Sequence, residues 1–144
     1  MIQVFIIGLG KNFRSLTSPV KKAAAAVFKE LSRAGNRAVL PRRAEIFLVN
    51  NARMRALNRS FRKKDKTTNV LSFPADGFLR PDLADDFLGE VYLAPVYISS
   101  KSQDISGLVI HGLLHLFGYD HKTKNDRMKM ESLEETIFKK LEKW

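Results

Sequence analysis

Three histidines in this chain could hold a metal ion, and they are the only three it has: His111, His115 and His121. The first two stand four apart, a spacing that puts both rings on one face of a helix with Cβ atoms about 5–6 Å from each other. Gly118 then offers a helix end in the left-handed conformation, since it has no Cβ to clash. The chain can turn there and bring His121 toward the other two. Three imidazoles without a fourth protein ligand resemble an open, catalytic zinc site, which keeps one position for water. A single histidine in an apolar helix is more often a hydrogen-bonded core residue. Three around one glycine break favour the metal. Zinc is the expected ion, and the same donors accept nickel, cobalt or iron.

Gly112 occupies the position where H-E-x-x-H metallopeptidases carry their general base. The missing carboxylate argues against ordinary zinc-peptidase chemistry and leaves other hydrolysis open. The small residue is expected to leave room beside the metal.

Around this motif the chain reads as one α+β domain over residues 1–144. At 144 residues it is long enough to bury one core. Met1–Gly8 is an apolar, β-branched run expected to be a buried strand. Ser18-Pro19 starts a helix that continues through Val20, Ala23, Ala24, Val27, Phe28 and Leu31 and closes at Gly35. Glu45–Val49 is a second strand, and Asn50 or Asn51 caps a short helix with Met54, Leu57 and Phe61 on its apolar side. Thr68–Phe73 is a third strand stopped by Pro74, and Ala75–Asp86 is a surface loop. Phe87–Ala94 is a fourth strand, with Gly89 where backbone approaches backbone. Pro95–Gln103 is ambiguous. Asp104 or Ser106 caps the histidine helix, which is apolar all round and therefore central and buried. Asn125–Glu142 forms a last amphipathic helix with Met130, Leu133, Ile137, Phe138 and Leu141 inward. One sheet of about four strands packed with helices follows.

Charge points to a polyanion. The net charge is +10, and Asn51–Lys66 alone holds seven basic residues, including Arg59, Arg62, Lys63 and Lys64, against Asp65. A solvated basic face is the plain alternative. There is no cysteine, which suits a reducing cytoplasm and excludes disulfides and thiolate ligands. Met1–Gly10 lacks the basic start and cleavage site of a signal peptide. No apolar run nears the ~20 residues that span a bilayer, so no membrane partner is expected.

Two separated stretches resemble one family. His111–His121 is similar to the H-G-x-L-H-L-x-G-Y-D-H signature of the YbeY endoribonucleases. Leu57–Pro74, reading LNRSFRKKDKTTNVLSFP, resembles that family's L-N-x-x-[YF]-R-x-K-D…T-[DN]-V-L-S-F-P block. Leu88-Gly89-Glu90 and Met130-Glu131…Glu134 are similar to its L-G-[DE] strand and final helix. The chain departs at Thr67, where many members have proline, at Glu90, where aspartate is commoner, and in a shortened stretch between Glu90 and His111.

The resemblance implies a zinc-dependent, single-strand-specific endoribonuclease of the bacterial cytoplasm that matures the 3′ end of small-subunit (16S) ribosomal RNA and serves ribosome quality control. It implies His111, His115 and His121 as metal ligands and Arg62 as a functional arginine. Arg62 would hold the scissile phosphate in a fork of N–H donors, although a helix-terminal arginine is also favoured by the helix dipole. Arg59, Lys63, Lys64 and Ser72 are the other candidate substrate contacts, with packing the plain role for Ser72. Asp120 either orients a ligating histidine or caps a turn. Glu90 is the nearest candidate general base if its strand faces the site. The ribosomal small subunit or a protein bound to it is the expected partner. A metal-stabilised RNA-binding or assembly factor that cuts nothing is the main alternative, and a zinc peptidase is the third.

Overall fold

The computed structural model describes residues 2–7, 11–33, 43–75 and 87–142. Four strands, β1 (Ile2–Ile7), β2 (Arg43–Val49), β3 (Val70–Pro74) and β4 (Phe87–Leu93), form one sheet in the order β1-β2-β4-β3. β1, β2 and β4 run parallel, and β3 pairs antiparallel to β4. Parallel neighbours need a crossover, and α1 (Thr17–Arg33) lies between β1 and β2. The remaining helices are α2 (Asn51–Arg62), α3 (Pro95–Ser100), α4 (Ile105–Leu116) and α5 (Lys124–Glu142). The α+β architecture with a central histidine helix is the one expected.

Strand alternation divides the apolar residues between two faces. Ile46, Leu48, Val91 and Leu93 turn toward α1, α4 and α5, where Val27, Leu31, Ile110, Leu113, Leu114, Met130 and Ile137 are buried with them. Leu71, Val49, Phe73 and Tyr92 turn the other way, against Met54 and Leu57 of α2 and Tyr97 of α3. α4 touches α1, α5, β3 and β4, so the element carrying the first two histidines is fixed from every side.

Local signals account for most boundaries. Asn50 caps α2, its Oδ1 accepting from the Arg53 amide at 2.8 Å. Asp104, rather than Ser106, caps α4 by accepting from the Ser106 amide at 2.8 Å. α1 begins at Thr17 after a 3₁₀ turn (Lys11–Leu16), so Pro19 stands inside the first helical turn instead of starting it. No intrahelical N–H bond is needed there. The ambiguous stretch after β4 opens as α3, with Pro95 in its first turn. Gly89 has φ +139°, and a Cβ there would stand 2.2 Å from the Phe73 carbonyl oxygen, the close backbone approach read from the sequence. Gly35, expected to close α1, and residues 76–86, expected to be surface loop, lie outside the described residues. Among the described residues, no helix is long and apolar enough to cross a membrane.

Candidate metal centre and its cleft

The end of α4 builds the site. Gly118 adopts φ +98°, its amide donates to the His115 carbonyl at 3.0 Å, and the Tyr119 amide donates to the Leu114 carbonyl at 3.0 Å. This pair of reversed bonds is a Schellman turn, which a left-handed glycine permits. The turn sends the chain back over the last turn of α4. There the Tyr119 carbonyl accepts from His115 Nδ1 at 2.9 Å, and His121 comes within reach of His115.

The three ligand nitrogens all lie within 4.8 Å of one another. Nε2 of His115 is 3.1 Å from Nε2 of His111 and 3.2 Å from Nε2 of His121. Hydrogen bonding makes the first distance informative. A carbonyl oxygen only accepts, so His115 carries its proton on Nδ1. His111 Nδ1 faces Glu134 Oε2 at 3.3 Å, and a carboxylate likewise only accepts. With Nδ1 of each ring engaged by an acceptor, the Nε2 atoms are the ones left facing each other, an arrangement that a shared cation satisfies. Two nitrogens bound tetrahedrally to one zinc at about 2.0–2.1 Å each stand about 3.3 Å apart. The donor set fits a divalent metal held by His111, His115 and His121. Burial, and next the nearby His111, hold the His115 pKa below its ordinary value, which keeps that ring in the ligating form.

The histidines open into a cleft of about 910 Å³. Arg62, Lys64, Lys66 and Lys122 line it with Asp120 as the lone acid, so its field is positive. Arg62 ends α2, and its Nη2 donates to the Ser72 carbonyl at 3.1 Å while the guanidinium lies 5.8 Å from the Phe73 ring centre. The loop after α2 is tied down. Buried Asn58, 3% exposed, donates from its side-chain amide to the Lys66 carbonyl at 2.8 Å and accepts the Lys64 amide on its own carbonyl at 3.3 Å. Arg55 grips Asp65 at 2.9 and 3.2 Å. These bonds hold Lys64 and Lys66 at the cleft.

Not every residue read from the sequence meets here. Ser72 lines the cleft, but its Oγ donates to the Gly112 carbonyl at 2.9 Å and so ties β3 to α4. Asp120 accepts from the Lys122 amide at 3.1 Å, the turn-capping role, while Tyr119 and Glu134 contact the His115 and His111 rings. Arg59 and Lys63 are not among the cleft-lining residues. Arg59 stands 4.0 Å from Asp65, and Lys63 caps α2 in a left-handed conformation. Glu90 is 8% exposed and shares its sheet face with Tyr92, whose hydroxyl donates to it at 3.2 Å. Val91, the next residue, is the one that meets α4. Glu90 is thus on the far side of the sheet from the histidines, and β-strand alternation is the reason.

Gly112 also has a different role from the expected one. A Cβ there would meet Val91 Cγ1 at 2.8 Å and Ser72 Oγ and Val70 Cγ2 at 3.2 Å each. Its smallness brings α4 onto the sheet rather than making space at the metal. Glu134, Tyr119, Lys66, Thr68 and Lys122 were not singled out as site residues. Lys66, Thr68, Tyr119 and Glu134 fall inside the stretches that resemble the family, without a role of their own being legible there.

Comparison with known proteins points to one family. A protein 40% identical over 105 residues is an endoribonuclease YbeY of Rhodopseudomonas palustris; the match covers 67% of this chain and 55% of that protein. Another, from Phytoplasma australiense, is 38% identical over 104 residues, covering 67% and 72%. The solution structure of TM1509 from Thermotoga maritima superposes with a TM-score of 0.58 at 25% identity, covering 99% of this chain and 93% of that one. The chain thus spans little more than half of the Rhodopseudomonas relative. The family model described as endoribonuclease YbeY matches residues 11–142, and the chain belongs to that family.

Proposed function

We propose that the chain is a metal-dependent endoribonuclease that cuts single-stranded RNA, acting in 3′-end maturation of 16S ribosomal RNA and in ribosome quality control. Zinc is its metal, the cytoplasm its compartment, and the ribosomal small subunit or a protein bound to it its partner. The observation that carries this reading is the convergence of His111, His115 and His121, their ligand nitrogens all within 4.8 Å of one another, at the end of a cleft bordered by four cationic side chains. The relatives named as endoribonucleases support the choice of substrate.

A bound zinc ion supplies Lewis acidity and makes a water acidic enough to react near neutral pH. The protein supplies the rest. Lys64, Lys66 and Lys122 draw a phosphate backbone into the cleft. Arg62, steadied by the Ser72 carbonyl and the Phe73 ring, keeps further N–H donors of its planar fork for the scissile phosphate. A fixed cation there stabilises the charge that builds on phosphate oxygens during cleavage.

The test incubates purified protein with single-stranded RNA, duplex RNA and casein, each with and without a chelator, beside elemental analysis of the metal. Cleavage confined to single-stranded RNA, abolished by chelation and restored by zinc, supports the proposal. RNA binding without cleavage gives the assembly-factor reading instead. Metal-dependent proteolysis alone overturns the proposal.

A further inference from the structure

We infer that Glu134, on α5, is a positioning residue for the metal centre, holding the His111 ring in the tautomer that presents Nε2 to the ion. The inference deepens the metal reading above and rests on it.

Glu134 reaches the site because the phase of α5 is fixed by packing. Met130 and Ile137 are both buried in the core, and Leu133 packs against it. Between these anchors, Glu134 faces α4 and brings Oε2 to 3.3 Å from His111 Nδ1. Both side chains are only about a quarter exposed, at 27% and 28%, so water competes weakly for the contact. The neighbouring Glu135 differs. It pairs with Lys139 at 3.0 Å, and both are more than two-thirds exposed.

Which imidazole nitrogen carries the proton is decided by the partner of the other one. His111 Nδ1 meets the Glu134 carboxylate, and a carboxylate can only accept. The pair therefore fixes both the ring's protonation site and its rotation about the side chain. Outer partners of this kind typically contribute 10–100-fold to metal affinity. Tyr119 does the same for His115 through a main-chain carbonyl. A carbonyl cannot be removed by substitution, whereas Glu134 can.

The experiment has two arms, on the full chain. Imidazole nitrogen–proton correlation spectra of the metal-free protein at mildly alkaline pH report the His111 tautomer. We expect the Nδ1–H form in the wild type and a shift toward the Nε2–H form in Glu134→Ala. Zinc affinity by competition with a chromophoric chelator forms the second arm. Glu134→Ala should bind zinc about 10–100-fold more weakly, Glu134→Gln should fall between it and the wild type, and Glu135→Ala should match the wild type. Alanine suits a helix, and thermal unfolding of the metal-free variants verifies the fold. An unchanged tautomer together with wild-type zinc affinity in Glu134→Ala overturns the inference, as does an equal loss in Glu135→Ala. A wild type that binds no divalent metal overturns the metal reading, and the tautomer arm still decides what Glu134 does to His111.

Discussion

His115 donates from Nδ1 to the main-chain carbonyl of Tyr119 at 2.9 Å, a bond that exists only because Gly118 turns the chain back at φ +98°. Helix termination and ligand orientation are one feature here. A Cβ at Gly118 would meet nothing within 4 Å, so the cost of Gly118→Ala is conformational alone. It should be about 1–2 kcal/mol, smaller for Gly118→Asn, which tolerates a left-handed backbone better. Chemical denaturation checks the stability, and zinc titration should show weaker binding in the alanine variant.

At Gly112 the obstacle is steric. Val91 Cγ1, 2.8 Å from the position of an added Cβ, is short and branched and cannot swing clear. Gly112→Ala should cost about 1–3 kcal/mol through overpacking. In a double-mutant cycle with Val91→Ala, the alanine at 112 should cost less in the truncated background. Additive costs in that cycle would place the crowding elsewhere.

The loop after α2 contains two kinds of tie, with unequal expected weights. Asn58→Ala leaves the Lys66 carbonyl without its 2.8 Å donor in a buried setting. It should cost about 1–3 kcal/mol and weaken single-stranded RNA binding. Arg55→Ala breaks an ion pair whose partners are 57% and 55% exposed, where water and salt screen the attraction, so its loss should be much the smaller. Urea unfolding and RNA titration of both variants compare the two.

Tyr92 gives a pH signature. Burial first, and then the adjacent Glu90 carboxylate, push its pKa up to about 12. The folded protein thus holds this proton more tightly than the unfolded chain, whose tyrosine titrates near 10.0. The stabilisation is complete below that value and is lost as pH rises through about 12. Tyrosinate absorbance should show a late step that disappears in Tyr92→Phe. An identical alkaline titration in the variant would contradict this.

Arg62 separates charge from geometry. Arg62→Ala should leave the fold intact, since its side chain is exposed, and should lower RNA cleavage by about 10²–10³-fold, the usual cost of one transition-state donor. Arg62→Lys keeps the charge but loses the planar fork, so it should recover binding more than turnover. Single-turnover cleavage beside RNA affinity resolves the two effects.

What the sequence revealed was mostly local. The spacing of His111 and His115 is a helical period, and the left-handed glycine at 118 follows from chain chemistry, so both could be read directly. The strands showed as apolar runs, and the caps as a choice between neighbours, Asn50 or Asn51 and Asp104 or Ser106. The misreadings concern direction across the fold. Nothing in a strand says which face Glu90 takes until Val91 is known to meet α4. Gly112 follows His111 by one residue, and the helical turn between them aims it at the sheet rather than at the ligands. Glu134 is 23 positions from its histidine, and only the packing of two helices brings them together.

Asn58 has a consequence for how the RNA proposed as substrate would meet this protein. Its two bonds tie down the lysine-bearing rim as the chain folds. A flexible polyanion arriving there would surrender its own freedom but meet a surface whose ties are already made, which would spare affinity and favour rapid capture over slow moulding.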